Sequence, residues 1–167
     1  MDLAAHNKAN RVAFKRCFDR YYDPIRNFCY YKCGDMPLAE DLAQETFLAL
    51  WQRWDSVREE TLASLLYTIA HNLFLNERKH QQVVLRFSQR PQREDDPESP
   101  EYLLEAREFH ARLEAALSAL PEGSREVFLM NRIDRLKYAE IAERLGISVK
   151  AVEKRMHQAL QALRALG

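Results

Sequence analysis

A stretch of sixteen residues, Arg86 to Glu101, divides the chain into two parts. It holds three prolines and many charges, and its apolar residues do not recur at a helical spacing, which favours a solvated connection over a packed element. The flanking segments are rich in Ala, Leu, Glu, Arg and Gln, all good helix formers, whereas Gly (4) and Pro (6) are scarce. The sequence therefore predicts an all-α protein with two small helical domains, residues 8–82 and 102–167, on a flexible linker at 83–101.

The spacing of apolar residues also predicts the individual helices. The first part should contain three helices, near residues 9–32, 37–54 and 62–82. The second part should contain four helices, at about residues 102–119, 121–135, 138–145 and 149–165.

Charge is unevenly distributed along the chain, although the formal net charge is zero. Residues 71–93 carry five basic and one acidic side chains, and residues 123–167 carry nine basic and five acidic. Between them, residues 94–122 carry two basic and nine acidic side chains. Exposed charges further apart than a Debye length, ~8 Å in physiological salt, hardly interact, so local charge matters more than net charge. The two basic blocks are therefore compatible with a nucleic-acid partner.

Composition indicates a cytoplasmic protein. No apolar run approaches the ~20 residues that span a bilayer, and the first ten residues lack the apolar core of a signal peptide. Three cysteines are an odd number, which argues against a disulfide framework. Cys29 and Cys33, at i and i+4, could share a metal, but no second pair of ligands completes a site, and reduced thiols are the favoured interpretation.

An enzymatic function is not indicated. Glu40, Asp41 and Glu45 could bind Mg²⁺, but the chain has neither a phosphate cradle nor an activated nucleophile. We therefore predict no catalytic residue, no cofactor, no metal site and no small-molecule substrate.

The segment Tyr138 to Leu163 has the pattern of a helix-turn-helix. A short amphipathic helix ends at Gly146, which suits a left-handed residue, and Ser148 then caps a second helix. The first turns of that helix would face base edges in the major groove, and its basic residues would reach phosphates. The alternative is an ordinary helical hairpin with a solvated, charged face.

Two faces in the first part are candidate binding surfaces. The helix at 37–54 interleaves acidic and amide side chains with Leu48 and Trp51, which is typical of a partner-binding face. A helix buried nearly all round is the alternative. The next helix, at 62–82, has an apolar stripe, and its opposite face carries Tyr67, His71 and basic residues. Such a face suits the binding of unstacked bases and phosphates. A polar, solvated face is the alternative.

Three segments together resemble the bacterial extracytoplasmic-function (ECF) sigma factors: AEDLAQETFLALW from Ala39, LLYTIAHNLFLNERK from Leu65, and LPEGSREVFLMNRIDRLKYAEIAERLGIS from Leu120. The resemblance covers nearly the whole chain in the family's order and spacing. It extends to the branch that answers cell-surface iron-uptake signalling.

The resemblance implies a sigma domain 2 at 8–82 that binds core RNA polymerase, and a sigma domain 4 at 102–167. The residues implied to contact polymerase are Asp41, Gln44, Glu45, Phe47, Leu48 and Trp51. Those implied to contact the promoter −10 element are Tyr67, His71, Asn72, Asn76, Arg78 and Lys79, beside a loop near 55–63 that holds a flipped base. Those implied to contact the −35 element are Ser148, Lys150, Ala151, Glu153, Lys154, Arg155 and Gln158. A membrane-linked anti-sigma factor is a further implied partner.

The chain departs from the family's usual residues at five positions. These are Leu65, His71, Asn76, Ala151 and Gln158. Promoter sequence therefore does not carry over from any relative. A stand-alone helix-turn-helix regulator, and a metal- or thiol-responsive protein using Cys29 and Cys33, are the competing hypotheses.

Overall fold

The computed structural model describes residues 3–77, 83–86 and 100–166. Within these ranges the chain is helical and contains no strand, so the predicted all-α class is confirmed. The helices are α1 (Leu3–Cys33), α2 (Met36–Gln52), α3 (Leu62–Asn76), α4 (Pro100–Ala119), α5 (Glu122–Arg132), α6 (Tyr138–Leu145) and α7 (Val149–Arg164). None of the described helices combines the length and apolar character that crossing a bilayer requires.

The N-terminal domain is formed by α1, α2 and α3, which pack against one another around Ile25, Leu42 and Leu66. Helix α1 is longer than predicted because it begins at Leu3, six residues before the predicted start, and it runs through the internal Pro24. Asp35 caps α2 as its carboxylate Oδ1 accepts a hydrogen bond from the Leu38 N–H at 3.2 Å. The turn before it uses Gly34 with φ +68°, a conformation that favours glycine.

The C-terminal domain is built on α5, α6 and α7, whose buried side chains include Val127, Ile141 and Met156. Helix α4 contacts α7 but buries only Leu117 below the surface, and several apolar side chains of its first half are exposed. The predicted helix boundaries for α6 are reproduced, and those of α7 differ by one residue. The helix-turn-helix is therefore present where its sequence pattern predicts it.

The segment 83–86, predicted as the start of the solvated linker, is packed. Leu85 is buried, and its N–H donates to the Ser118 hydroxyl at 3.0 Å. The Tyr30 hydroxyl donates to the Arg86 carbonyl at 3.0 Å and accepts from the Arg86 N–H at 2.9 Å. An apolar side chain at position 85 fits between the domains, which explains why this segment is packed although it was predicted to be solvated. Residues 87–99 lie outside the described ranges.

The two domains contact each other directly. Helix α1 packs against α5, and α3 packs against α6. Lys32, at 2% exposure, forms ion pairs across this contact with Glu122 and Glu126. The structure is therefore a closed arrangement of the two predicted domains.

Candidate protein-binding and nucleic-acid-binding surfaces

Helix α2 presents a continuous exposed face. Leu48 is 61% exposed and Trp51 is 40% exposed, and both lie among exposed acidic and amide side chains. Positions three and four apart share a face of a helix, so the set forms one surface, which we call the α2 face. Its exposed members are Asp41, Gln44, Glu45, Leu48 and Trp51.

Phe47, which the resemblance implied as a polymerase contact, does not belong to the α2 face. It is buried in the domain core, where its ring lies edge-on to Phe18 with centroids 5.0 Å apart. On a helical wheel Phe47 lies at the margin of the α2 face, and it packs against the aromatic rings of Phe14 and Phe18 of α1. Trp51 remains at the surface and is supported by Phe14, whose ring centroid is 5.0 Å away. The α2 face thus has an aromatic side chain held in place from below.

The predicted DNA-facing side of α3 is only partly accessible. Asn72 and Asn76 are exposed and His71 is half-buried. Tyr67, at 1% exposure, is covered by α6, and its hydroxyl oxygen accepts a hydrogen bond from Arg144 Nη1 at 3.1 Å. Burial raises the pKa of Tyr67 to about 12, so this hydroxyl is protonated at neutral pH. Tyr67 therefore cannot contact a base in the closed arrangement; Arg78 and Lys79 lie outside the described residues.

The loop between α2 and α3 is formed by two short 3-10 turns, Trp54–Ser56 and Glu59–Thr61. Asp55 is held to α1, since its Oδ1 accepts from Asn10 Nδ2 at 2.9 Å. The Arg58 side chain on this loop is exposed. The loop is thus held to α1 at its first turn, and its side chains are exposed apart from those of Trp54, Val57 and residues 62–63, which are half-buried.

The helix-turn-helix has the geometry that its sequence predicts. Gly146 adopts φ +66°, and the Ile147 N–H then donates to the Ala142 carbonyl at 3.0 Å. Apart from Gly146 itself and its neighbours along the chain, no heavy atom lies within 4 Å of where a Cβ would stand, so backbone conformation favours glycine there. The Ser148 hydroxyl caps α7 by accepting from the Ala151 N–H at 3.1 Å.

The outer side of α7 combines free and anchored side chains. Lys150, Glu153 and Lys154 are exposed together with the cap Ser148, and Ala151 is half-buried. Arg155 lies over α5, where a Cβ added to Gly123 would be 3.2 Å from its Cζ. Gln158 accepts a hydrogen bond from the Ser124 hydroxyl at 3.1 Å. The first two turns of α7 and the exposed Gln158 are thus accessible, whereas Ala151 and Arg155 are half-buried.

The domain contact contains charged residues that the sequence analysis did not single out. Arg125 Nε donates to the Tyr31 carbonyl at 2.6 Å, and Asp134 Oδ1 accepts from Asn27 Nδ2 at 3.0 Å. Burial raises the pKa of Glu126 to about 7, although the Lys32 ammonium opposes this. These pairs join residues about 90 or more positions apart, which no local periodicity can reveal. The one local signal was Lys32 itself, a charge directly after the apolar run Phe28–Tyr31.

The cysteines show no arrangement that would hold a metal. Cys17, Cys29 and Cys33 are free thiols, and burial raises the pKa of Cys29 to about 12. In the part of the chain that the structure describes, no three His, Cys, Asp or Glu side chains are grouped as metal ligands. The hypothesis of a metal-responsive protein gains no support from these residues.

Comparison with known proteins shows the family of the chain. The model of Sigma-70 region 2 matches residues 17–84, and that of Sigma-70, region 4 matches residues 110–163. The ECF RNA polymerase sigma factor SigE of Mycolicibacterium smegmatis is 31% identical over 166 residues, covering 96% of this chain and 64% of SigE. SigW of Bacillus subtilis, another ECF sigma factor, is 30% identical over 168 residues, covering 94% of this chain and 90% of SigW.

A solved structure has a similar fold. CnrH, in complex with the cytosolic domain of CnrY, superposes with a TM-score of 0.62 at 25% identity, covering 98% of this chain and 92% of CnrH. Regions 2 and 4 carried on two helical domains define the sigma-70 class of sigma factors. Within that class the chain belongs to the ECF sigma factors. It is thus an alternative sigma factor, which directs promoter recognition by RNA polymerase at transcription initiation.

Proposed function

We propose that the α2 face is the surface through which this sigma factor binds core RNA polymerase. The observation that supports it is the exposure of Leu48 and Trp51 among acidic residues. Large apolar side chains at the centre of a polar rim are the usual anchors of a protein interface. In this proposal Asp41, Gln44 and Glu45 form the rim, and Phe47 supports the face from the core.

The two domains have separate promoter roles in this proposal. Residues 8–82 act as sigma domain 2, with His71, Asn72 and Asn76 on the −10 side, and Arg78 and Lys79 beside them in sequence. Residues 102–167 act as sigma domain 4, in which Lys150, Glu153 and Lys154 meet the −35 element. Residues 83–101 connect them, and Tyr67 becomes available to DNA only when α6 moves away from α3.

DNA binding with and without core polymerase tests this function. The chain should bind promoter DNA tightly only together with core enzyme, and Asn72→Ala should impair strand opening at −10 more than it impairs core binding. A stand-alone regulator would instead bind duplex DNA as a dimer with paired half-sites. Tight sequence-specific binding by the free chain, unchanged by core enzyme, would favour that regulator.

Regulation by a membrane-linked anti-sigma factor is part of the proposal. It is supported by CnrH, whose solved structure is a complex with the cytosolic domain of CnrY. Affinity capture from the native host should return core polymerase subunits and, before the inducing signal, a membrane protein. Capture of polymerase alone, with and without signal, would argue for control by expression level.

Membership of the iron-uptake branch is a finer proposal. The ferric citrate uptake sigma factor FecI of Escherichia coli is 31% identical over 156 residues, which is close to the value for SigW. Identity alone therefore does not separate the branches. Transcripts that depend on this chain should change with iron supply if the branch is right, and an iron-independent set would exclude it. We further propose that the chain acts in the cytoplasm and has no catalytic activity of its own.

A further inference from the structure

Lys32 occupies an unusual position at the domain contact. Its ammonium Nζ is 2.7 Å from Glu122 Oε1 and is also hydrogen-bonded to Glu126, so two carboxylates of α5 meet one cation. It lies 4.6 Å from the centroid of Phe28 and 5.5 Å from that of Phe74. The N-terminal domain thus presents one cation above two aromatic rings, and the C-terminal domain supplies the anions.

The cation belongs to the same surface as the predicted −10 residues. Phe74 lies on α3 one turn after His71, and the pKa of His71 is lowered by burial and, secondly, by the charge of Lys32, with Glu122 opposing. Tyr67, further along the same side of α3, is covered by Arg144. The C-terminal domain therefore covers Tyr67 and Lys32, and its Glu122 lies near enough to His71 to oppose the lowering of the His71 pKa.

Promoter binding requires this cover to be removed. The −10 and −35 elements lie roughly 25 base pairs apart, which is ~85 Å at ~3.4 Å per base pair. Domains in direct contact through Lys32 and Glu126 cannot reach both elements at once. Separation leaves the Lys32 ammonium without its carboxylates, beside side chains suited to unstacked bases, and a cation at that place suits a phosphate of the single strand.

We propose that Lys32 is a phosphate-binding residue for the opened −10 strand, and that Glu122 and Glu126 occupy the phosphate position in the closed chain. The proposal rests on the proposed −10 role of α3. A purely structural ion pair is the alternative, although buried ion pairs add little net stability. The two interpretations predict opposite changes when Lys32 loses its charge. Loss of a phosphate contact weakens DNA binding. Loss of an ion pair that only holds the domains together, here called a latch, eases domain separation and so strengthens DNA binding.

The test measures binding of saturated holoenzyme to promoter DNA with a single-stranded −10 region, at salt concentrations from about 50 to about 200 mM. Lys32→Met keeps the unbranched stem between the rings and removes the charge. We expect it to bind several-fold more weakly at low salt and to lower the slope of log affinity against log salt by about 0.7, the value for one phosphate of a single strand. Lys32→Arg, which keeps the charge, should restore the slope.

Two control variants isolate the effect. Lys15→Met removes an exposed lysine of the same helix that pairs with Asp19, and should keep the wild-type slope. Glu126→Gln removes a carboxylate that faces Lys32 in the closed chain and should also keep the slope in the holoenzyme. If Lys32→Met does not fold, Lys32→Gln replaces it, with thermal unfolding as the check.

Three outcomes would overturn the proposal. A wild-type slope for Lys32→Met, or a gain in affinity like that of a loosened contact, would make Lys32 a latch only. A loss of affinity for core enzyme in the absence of DNA would assign Lys32 to an acidic protein surface. If wild-type holoenzyme itself fails to bind the promoter DNA, the proposed function fails and not the role of Lys32 alone.

Discussion

Arg144 of α6 donates a hydrogen bond to the hydroxyl oxygen of Tyr67 of α3 at 3.1 Å, and its guanidinium also lies 5.6 Å from the Tyr67 ring centroid. The contact joins the helix-turn-helix of one domain to the predicted strand-opening helix of the other. In the closed chain the C-terminal domain thus covers Tyr67, whereas the first two turns of α7 stay exposed.

Removing the Tyr67 hydroxyl should loosen the closed arrangement. Tyr67→Phe keeps the ring and its contact with Arg144 but removes the acceptor, so we expect a coupling energy of about 1 kcal/mol between the two positions. A double-mutant cycle with Arg144→Met, measured by urea unfolding of the full chain, gives this value directly. Additive effects of the two substitutions would show that the hydrogen bond contributes nothing to closure.

Trp51 and Phe47 should behave differently although both are aromatic residues of α2. Trp51→Ala should weaken core binding by about 2 kcal/mol, or roughly thirty-fold in Kd, because Trp51 is an exposed anchor. Phe47→Ala should instead lower the free energy of unfolding by about 3–5 kcal/mol, because Phe47 is buried. Titration of labelled chain with core enzyme and thermal unfolding separate the two effects.

A charge reversal tests the rim of the same face. Asp41→Arg should weaken core binding, whereas Asp19→Arg, an exposed acid on α1, should not. If both reversals weakened binding equally, a general charge effect would replace the α2 face as the explanation.

Glu153 and Lys154 should separate sequence preference from affinity. Glu153 can accept a hydrogen bond from cytosine N4, so Glu153→Ala should relax the preference for the −35 sequence. Lys154→Ala should weaken binding to all sequences alike and lower the salt slope by about 1. Holoenzyme binding to a library of −35 variants at two salt concentrations measures both, and a preference profile of Glu153→Ala that superimposes on wild type would remove Glu153 from base readout.

The closed arrangement should weaken as pH rises towards neutrality. The pKa of Glu126 is about 7 in the closed chain against 4.5 for an exposed carboxyl, so closure favours the protonated form. This contribution is complete below about pH 4.5 and is lost as pH rises through about 7. Glu122 and His71 lie near Lys32 and Glu126 and have lowered pKa values. Their contributions to the stability of the closed arrangement therefore change in the opposite sense and are lost as pH falls.

Comparison with Glu126→Gln isolates the contribution of this carboxyl. Interdomain energy transfer between labels on α2 and α7 should fall from about pH 5 to about pH 8 more steeply in wild type than in Glu126→Gln. Parallel profiles for the two proteins would contradict the assignment.

Local pattern predicted the helices and the helix-turn-helix because caps and periodicity act within a few residues. Gly146 and Ser148 are found in the roles that their sequence positions predict. The same reasoning could not place Phe47, since its burial depends on aromatic residues of α1 about 30 positions earlier. Nor could it place Tyr67, which appears on the polar side of its own helix and is buried by a residue 77 positions later.

The hydrogen bonds of Arg86 with Tyr30 and the burial of Leu85 shorten the part of the interdomain connection that is free to extend. If this anchoring persists when the domains separate, only residues 87–99 connect Arg86 to α4. Thirteen residues span at most ~45 Å when fully extended. Anchoring up to Arg86 then limits the distance between the two domains, and promoters with a longer spacer between the −10 and −35 elements would exceed that distance. Removing the Tyr30 hydroxyl would release Arg86, lengthen the interdomain connection and widen the range of spacer lengths that the holoenzyme accepts.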